Sequence, residues 1–162
     1  ISLLLAATFG VLHTGLRAYG WGAARVDAQQ SARIALERIA RELRSAGYDP
    51  SGAGIAPIAV AASDRVMFQQ DLDGDGVVDA TRERVTYLVR PGERVLRRDA
   101  GGGAQPIIDG VRVFRLTYFD RHRVVTTDAS RVAVVRIHLE VGNSGPVSIA
   151  DTDVFLRNHR SR

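Results

Sequence analysis

The stretch ARIALERIARELRSAGY, residues 32–48, decides the fold. Its apolar side chains recur every three or four positions and therefore share one face of a helix. This face consists of Ala32, Leu36, Ile39, Leu43 and Ala46. Arg and Glu residues four positions apart occupy the opposite face, where such pairs support an exposed helix. We predict that Gly47 ends this helix, and that Leu36, Ile39 and Leu43 pack against a sheet.

The helix is predicted to extend towards the N-terminus without interruption, since no proline occurs between Trp21 and Ala46. Residues 1–12, ISLLLAATFGVL, carry no charge and lack the polar stripe of a soluble helix. They fit a buried core helix, the apolar region of a signal peptide, or part of a membrane span, which needs about 20 apolar residues. Because no basic leader precedes them, we favour a membrane helix that lacks about ten residues.

The remaining chain alternates apolar and polar side chains, which is typical of β-strands. It begins with a Gly- and Pro-rich connection at residues 51–62, and a Gly-rich break follows at residues 101–103. Strands are predicted at residues 65–70, 83–90, 94–98, 111–119, 131–141 and 147–156. Since no helix separates them, the sheet should be mainly antiparallel. The predicted fold class is α+β, with one long N-terminal helix packed on this sheet.

The motif DLDGDGVVD, residues 71–79, places four carboxylates within nine positions. Acidic residues at positions one, three, five and nine, with glycine at six, match the front of an EF-hand calcium loop. The predicted calcium ligands are Asp71, Asp73, Asp75, Val77 and Asp79. Position twelve, which requires Glu, is Arg82, and Glu83 follows one place later. The alternative is a metal-free acidic hairpin tip, because Asp-Gly pairs favour turns.

The chemistry-bearing residues predict a protein without catalytic activity. The chain has no cysteine and no lysine, which excludes thiolate, P-loop and Schiff-base chemistry. Its histidines, at positions 13, 122, 138 and 159, lack metal-ligand spacing. All 22 basic residues are arginine, and the net charge is +4. Since most of the arginines are scattered, nucleic-acid binding is allowed but not indicated.

The order of these segments resembles the type IV pilin-like family, in particular PilW-like minor pilins and the related type II secretion pseudopilin J. The stretches ISLLLAATFGVLHTGLRAYG and SARIALERIARELRSAGYDP resemble the family's N-terminal helix, and the tract ARIALERIARELRSAGY is the most specific part. Four later segments are similar to the family's usual sequence motifs. They are DLDGDGVVD (71–79), IIDGVRVFRLTYFD (107–120), SRVAVVRIHLEV (130–141) and VFLRN (154–158).

The resemblance implies three regions: a hydrophobic stem at residues 1–22, its amphipathic continuation at 23–48, and a periplasmic β-rich head at 49–162. The stem would anchor the subunit in the bacterial inner membrane and later pack in the core of a filament. Its packing residues would be Leu3, Leu4, Leu5, Phe9, Leu12 and Leu16. A prepilin peptidase would cleave the precursor before N-methylation of the new terminus. The implied partners are other minor and major pilins or pseudopilins.

The expected function is that of a minor pilin, which takes part in pilus assembly near the filament tip. Within the same fold, a minor pseudopilin of type II secretion is the alternative. An alternative of another class is a tip protein that binds DNA or a surface through its arginines. The expected cofactor is none, or Ca²⁺ at residues 71–79.

Overall fold

The computed structural model is an α+β protein with one N-terminal helix and antiparallel sheets. It describes residues 2–143 and 145–158, and the backbone alone at positions 2–9, 11, 16 and 18. Helix α1 spans Ser2–Arg44. The strands are β1 Ile58–Ala61, β2 Arg65–Gln69, β3 Arg84–Val89, β4 Val95–Asp99, β5 Gln105–Asp109, β6 Val111–Phe119, β7 Val134–Val141 and β8 Ser148–Phe155. A short 3₁₀ helix, Ala129–Arg131, precedes β7.

The predicted antiparallel pairing is confirmed, but the strands divide into two sheets. Sheet A contains β1 to β5 and sheet B contains β6 to β8, each in chain order. The sheets are joined along β6, because the Val111 N–H donates to the Arg94 carbonyl at 2.9 Å and the Leu116 N–H to the Ser63 carbonyl at 2.8 Å. Sequence periodicity predicts strands but not which of them pair, so it gave no sign of this division.

Two strands of sheet A lie where the sequence pattern predicts none. β1 occupies part of the predicted connection, and β5 follows the predicted break directly. Both pair irregularly, with a register shift between Ile58 and Val60 in β1 and between Leu96 and Arg97 opposite β5. β5 also contains Pro106. Short or proline-containing edge strands with irregular pairing lack the alternation on which strand prediction depends.

The packed segment of α1, residues 32–44, lies across sheet B. Its buried side chains are Ala32, Ala35, Leu36, Ile39, Ala40 and Leu43. Opposite them, β7 presents Val135, Ile137 and Leu139, whose cross-strand neighbours in β8 are Val154, Thr152 and Ala150. The alternation of β7 is regular, although the sequence alone leaves its faces unassigned. Val134 is also buried and obscures the pattern because it lies on the other face.

The C-terminal end of α1 is attached to sheet A. Arg98 Nε donates to the Glu42 carboxylate at 2.8 Å, and the Gly47 N–H donates to the Gln69 carbonyl at 2.7 Å. The helix ends at Arg44, and a turn continues to Gly47, which has φ of 74°. A Cβ at Gly47 would lie 2.6 Å from Pro57 Cγ. Glycine is therefore required here both by conformation and by space.

Candidate functional site

The N-terminal part of α1 projects from the rest of the chain. In the projecting segment, residues 10–27, every side chain that the structure describes is exposed. Leu12 and Trp21 are each 62% exposed and Tyr19 is 80% exposed. Glycines at positions 10, 15, 20 and 22 have open space around them. Apolar side chains of this kind are what a partner surface or a membrane would cover.

The stem predicted from the sequence overlaps this segment only in part. Of its predicted packing residues, Leu12 is described, whereas the side chains of Leu3, Leu4, Leu5, Phe9 and Leu16 lie outside the described residues. Within the part of the chain that the structure describes, no helix combines the length and apolar character needed to cross a bilayer. Membrane anchoring therefore stays a prediction.

The helix-to-sheet residues lie at the centre of the core. Ile39 and Leu43 are fully buried and Leu36 is 6% exposed. They belong to one continuous apolar cluster with Ile137 and Leu139 of β7. The packed segment makes these contacts, whereas the described side chains of the projecting segment are exposed.

The acidic loop, residues 71–79, connects β2 to β3 and folds around Asp71. The Asp71 carboxylate is buried and accepts hydrogen bonds from the Gly74 N–H at 2.7 Å and the Gly76 N–H at 3.0 Å. Both glycines have φ of 81°, a conformation that other residues rarely adopt. The Ser51 hydroxyl donates to the same carboxylate at 2.9 Å. This loop is therefore a tight turn built on one buried aspartate.

Glu83 closes the same loop from the start of β3. Its carboxylate is buried and accepts from the Leu72 N–H at 2.7 Å and the Asp79 N–H at 2.8 Å. The backbone pairing explains this position, because the Gln70 N–H donates to the Glu83 carbonyl at 3.0 Å and so brings Glu83 beside Asp71. The EF-hand template counts positions along the chain and excludes Glu83. The register of a predicted β2–β3 hairpin could have found it.

The structure brings together three of the acidic residues near this loop. Single carboxylate oxygens of Asp71, Asp73 and Glu83 lie within 4.8 Å of one another. Asp75 instead accepts from the Val77 N–H at 2.8 Å, and Asp79 accepts from the Thr81 hydroxyl at 3.0 Å. Val77 itself is 65% exposed. Hard carboxylate oxygens suit Ca²⁺, but the same contacts also serve a metal-free hairpin tip.

The hydrogen bonds keep these carboxylates ionised. Burial raises the pKa of Asp71, but donors from Ser51, Gly74 and Gly76 outweigh it and hold the pKa below its ordinary value. The N–H groups of Asp79 and Leu72 likewise lower the pKa of Glu83. Because both folded pKa values are depressed, the loop should keep its order at neutral pH and lose it as the pH falls through them.

Calcium binding thus stays a prediction, and it now centres on Asp71, Asp73 and Glu83. Isothermal titration calorimetry of the chain with CaCl₂ tests it. A site on these three residues should give heat in the unmodified chain, no heat in Asp73→Ala, and retained heat in Asp75→Ala. Absence of heat in the unmodified chain would contradict calcium binding and favour the metal-free hairpin tip.

His138 lies on the outer face of sheet B, between two carboxylates. His138 Nδ1 is 2.7 Å from the Asp151 carboxylate and its Nε2 is 3.2 Å from Glu140. The hydrogen bond to Asp151, with a smaller contribution from Glu140, raises the pKa of His138 above its ordinary value. On the same face Arg136 pairs with Asp153 at 2.7 Å. These side chains form cross-strand ion pairs, which stabilise a sheet surface.

Two comparisons with known proteins find no match. No protein-family model matches the sequence, and a search of curated proteins finds no significant match. The functional interpretation therefore depends on the residues and their geometry.

Proposed function

We propose that this chain is a minor pilin of the PilW-like type, a subunit of a type IV pilin-like filament. Its projecting helix would be held first by the inner membrane and later by the helices of neighbouring subunits. One observation carries the proposal: a single unbroken helix, Ser2–Arg44, is packed on the sheets over residues 32–44, while its described side chains over residues 10–27 are exposed. A helix divided in this way supports a subunit that completes its packing by assembly.

The chemistry of the projecting segment is suited to an apolar environment. Leu12 and Trp21 expose apolar area, and burial of such area contributes roughly 25 cal/mol per Å². The Thr14 hydroxyl donates to the Gly10 carbonyl at 2.8 Å, so this polar group is satisfied inside the helix. Tyr19 and Trp21 lie where the apolar sequence ends, and amphipathic aromatic side chains favour a membrane interface.

The body of the protein, residues 49–158, is suited to a role in recognition rather than catalysis. Its most elaborate polar feature, the acidic loop, is held by hydrogen bonds from backbone N–H groups to Asp71 and Glu83. Such a loop presents a defined surface, which is what assembly with sister subunits requires. A minor pseudopilin of type II secretion would use the same geometry, and the identity of the neighbouring subunits distinguishes the two systems.

Photo-crosslinking in the native host tests the proposal. The complete gene is expressed with benzoyl-phenylalanine in place of Leu12, and in a matched control in place of Val77, which is equally exposed but lies on the acidic loop. We expect position 12 to crosslink to the helices of other pilins and deletion of the gene to reduce surface filaments. Crosslinks to pseudopilins would assign the chain to type II secretion. Normal filaments together with no crosslink at position 12 would overturn the proposal.

A further inference from the structure

A groove runs between the outer edge of β8 and the packed segment of α1. Its volume is about 550 Å³, and ligand-binding clefts span roughly 300–1,000 Å³. Residues 148–152 form its strand side, and Arg33, Glu37, Arg41 and Arg44 are among the residues of its helix side. The groove is thus bounded by a strand edge on one side and by charged side chains on the other.

The charged residues that line the groove are three arginines, at positions 33, 41 and 44, and two carboxylates, Glu37 and Asp151. Asp151 contacts His138 at 2.7 Å, so the groove carries a small net positive charge. Arg33 is paired with Glu37 at 2.9 Å, so these two side chains largely neutralise each other. No ion pair or side-chain hydrogen bond joins Arg41 or Arg44 to another residue that the structure describes, and both are exposed. Their place in the last turn suits the helix dipole, yet leaves the guanidinium donors available. Two planar donors of this kind favour carboxylate ligands.

β8 is the least protected strand edge in the described part of the chain. β1 has four residues and a register shift, and β5 contains Pro106. The outer side of β6 is occupied by its hydrogen bonds to Arg94 and Ser63. By contrast, β8 has eight residues, pairs with β7 without any shift, and is the end strand of sheet B. Proteins usually protect such an edge, because its free N–H and carbonyl groups accept another strand.

We propose that β8 binds an extended, acidic segment of a partner polypeptide, which would become the fourth strand of sheet B. Backbone hydrogen bonds to β8 would supply affinity, and Arg41 and Arg44 would select carboxylate side chains. The free edge and the unpaired arginines are independent features that meet in one groove. This binding site does not depend on filament assembly, so it is tested on the isolated chain.

The probe is a synthetic eight-residue peptide that alternates Glu with Val, and its counterpart alternates Lys with Val. Each is titrated into the full ¹⁵N-labelled chain in mild detergent, with amide hydrogen exchange followed by NMR. We expect the Glu peptide alone to bind and to slow exchange at alternate amides of β8, since only every second N–H faces the groove. Binding that leaves β8 exchange unchanged would overturn the proposal.

Two variants separate specific contacts from general attraction. Arg41→Gln combined with Arg44→Gln should weaken binding of the Glu peptide about fivefold at low salt, as expected for two exposed ion pairs. Arg115→Gln combined with Arg121→Gln changes the net charge equally on exposed residues outside the groove, and should leave affinity unchanged. Equal weakening by both pairs would overturn the proposal, as would tighter binding of a DNA oligonucleotide to the same groove.

Discussion

The two parts of α1 have the same backbone structure and opposite surroundings. Residues 32–44 bury one face completely against sheet B, whereas the described side chains of residues 10–27 are all exposed. The first part is helical because its apolar face packs against sheet B. Such tertiary packing is the usual source of helix stability in proteins. The second part has no such support from the described chain. One helix therefore combines a part that belongs to the folded core with a part whose described side chains are exposed.

The largest expected effect comes from leucine truncation in each part. Leu43→Ala removes a fully buried side chain and should lower the free energy of unfolding by about 2–5 kcal/mol. Leu12→Ala, at a 62% exposed position of the same helix, should change it by less than about 0.5 kcal/mol. Urea denaturation followed by near-ultraviolet circular dichroism measures both. Similar losses in the two variants would mean that the projecting segment contributes to the folded core.

Glycine-to-alanine substitution should destabilise the turn that follows α1 and stabilise the projecting segment. Gly47→Ala places a Cβ 2.6 Å from Pro57 Cγ at φ of 74°, and should destabilise the fold by about 2–3 kcal/mol. Gly22→Ala meets open space, and should stabilise the projecting helix by about 1 kcal/mol. Hydrogen exchange of the helix amides reports the second effect. Gly52→Ala, with φ of 76° and open space, is the control for backbone strain alone.

Removal of one partner of an ion pair should lower the free energy of unfolding by a smaller amount. The loss should be greater for the more buried pair. Arg98 and Glu42 bridge sheet A and α1, with side chains 25% and 24% exposed. Arg98→Ala should therefore cost about 1–2 kcal/mol of unfolding free energy. Arg33→Ala breaks the pair with Glu37, whose side chains are 80% and 58% exposed, and should cost at most about 0.5 kcal/mol. Thermal denaturation of both variants at low salt gives the comparison, and equal losses would contradict the role of Glu42 in attaching the helix.

The smallest expected effect is a pH dependence of the sheet beneath the packed segment. The folded pKa of His138 is raised chiefly by Asp151. Protonated His138 therefore stabilises the folded state, and this stabilisation is complete below the ordinary histidine pKa of about 6.5. It is lost as the pH rises through the higher folded value. Denaturant titrations between about pH 5.5 and 8 should show this decline in the unmodified chain. The decline should disappear in His138→Gln, and its persistence there would assign it to another group.

Local patterns predicted the elements of this fold better than its pairing. The period of Leu36, Ile39 and Leu43 is a property of one segment, so it identifies the buried helix face directly. The division into two sheets depends on contacts between distant segments, such as the Leu116 N–H with the Ser63 carbonyl. No repeat in the sequence reports such a contact. For the same reason the irregular edge strands β1 and β5 were missed.

The acidic loop illustrates the same limit at a smaller scale. The sequence motif indicated a turn rich in carboxylates, and Asp71 and Asp73 do lie together there. The motif predicted Asp75 as the third carboxylate beside Asp71 and Asp73. In the structure, backbone pairing of Gln70 with Glu83 brings the Glu83 carboxylate next to them instead. A template that counts residues along the chain cannot include a neighbour that the returning strand supplies. Hairpin register, applied after strand prediction, is the information that was needed.

The continuity of α1 also sets the rotational phase of the whole molecule. The helix contains no proline from Ser2 to Arg44, and each residue of an α-helix advances about 1.5 Å and turns about 100°. Deletion of one residue between Gly22 and Ala28 would therefore rotate the body by about 100° relative to whatever holds the other end. Deletion of seven consecutive residues of the projecting segment would restore its orientation to within about 20°. In the proposed filament, the number of residues in the projecting segment would thus determine which surface of residues 49–158 faces a neighbouring subunit.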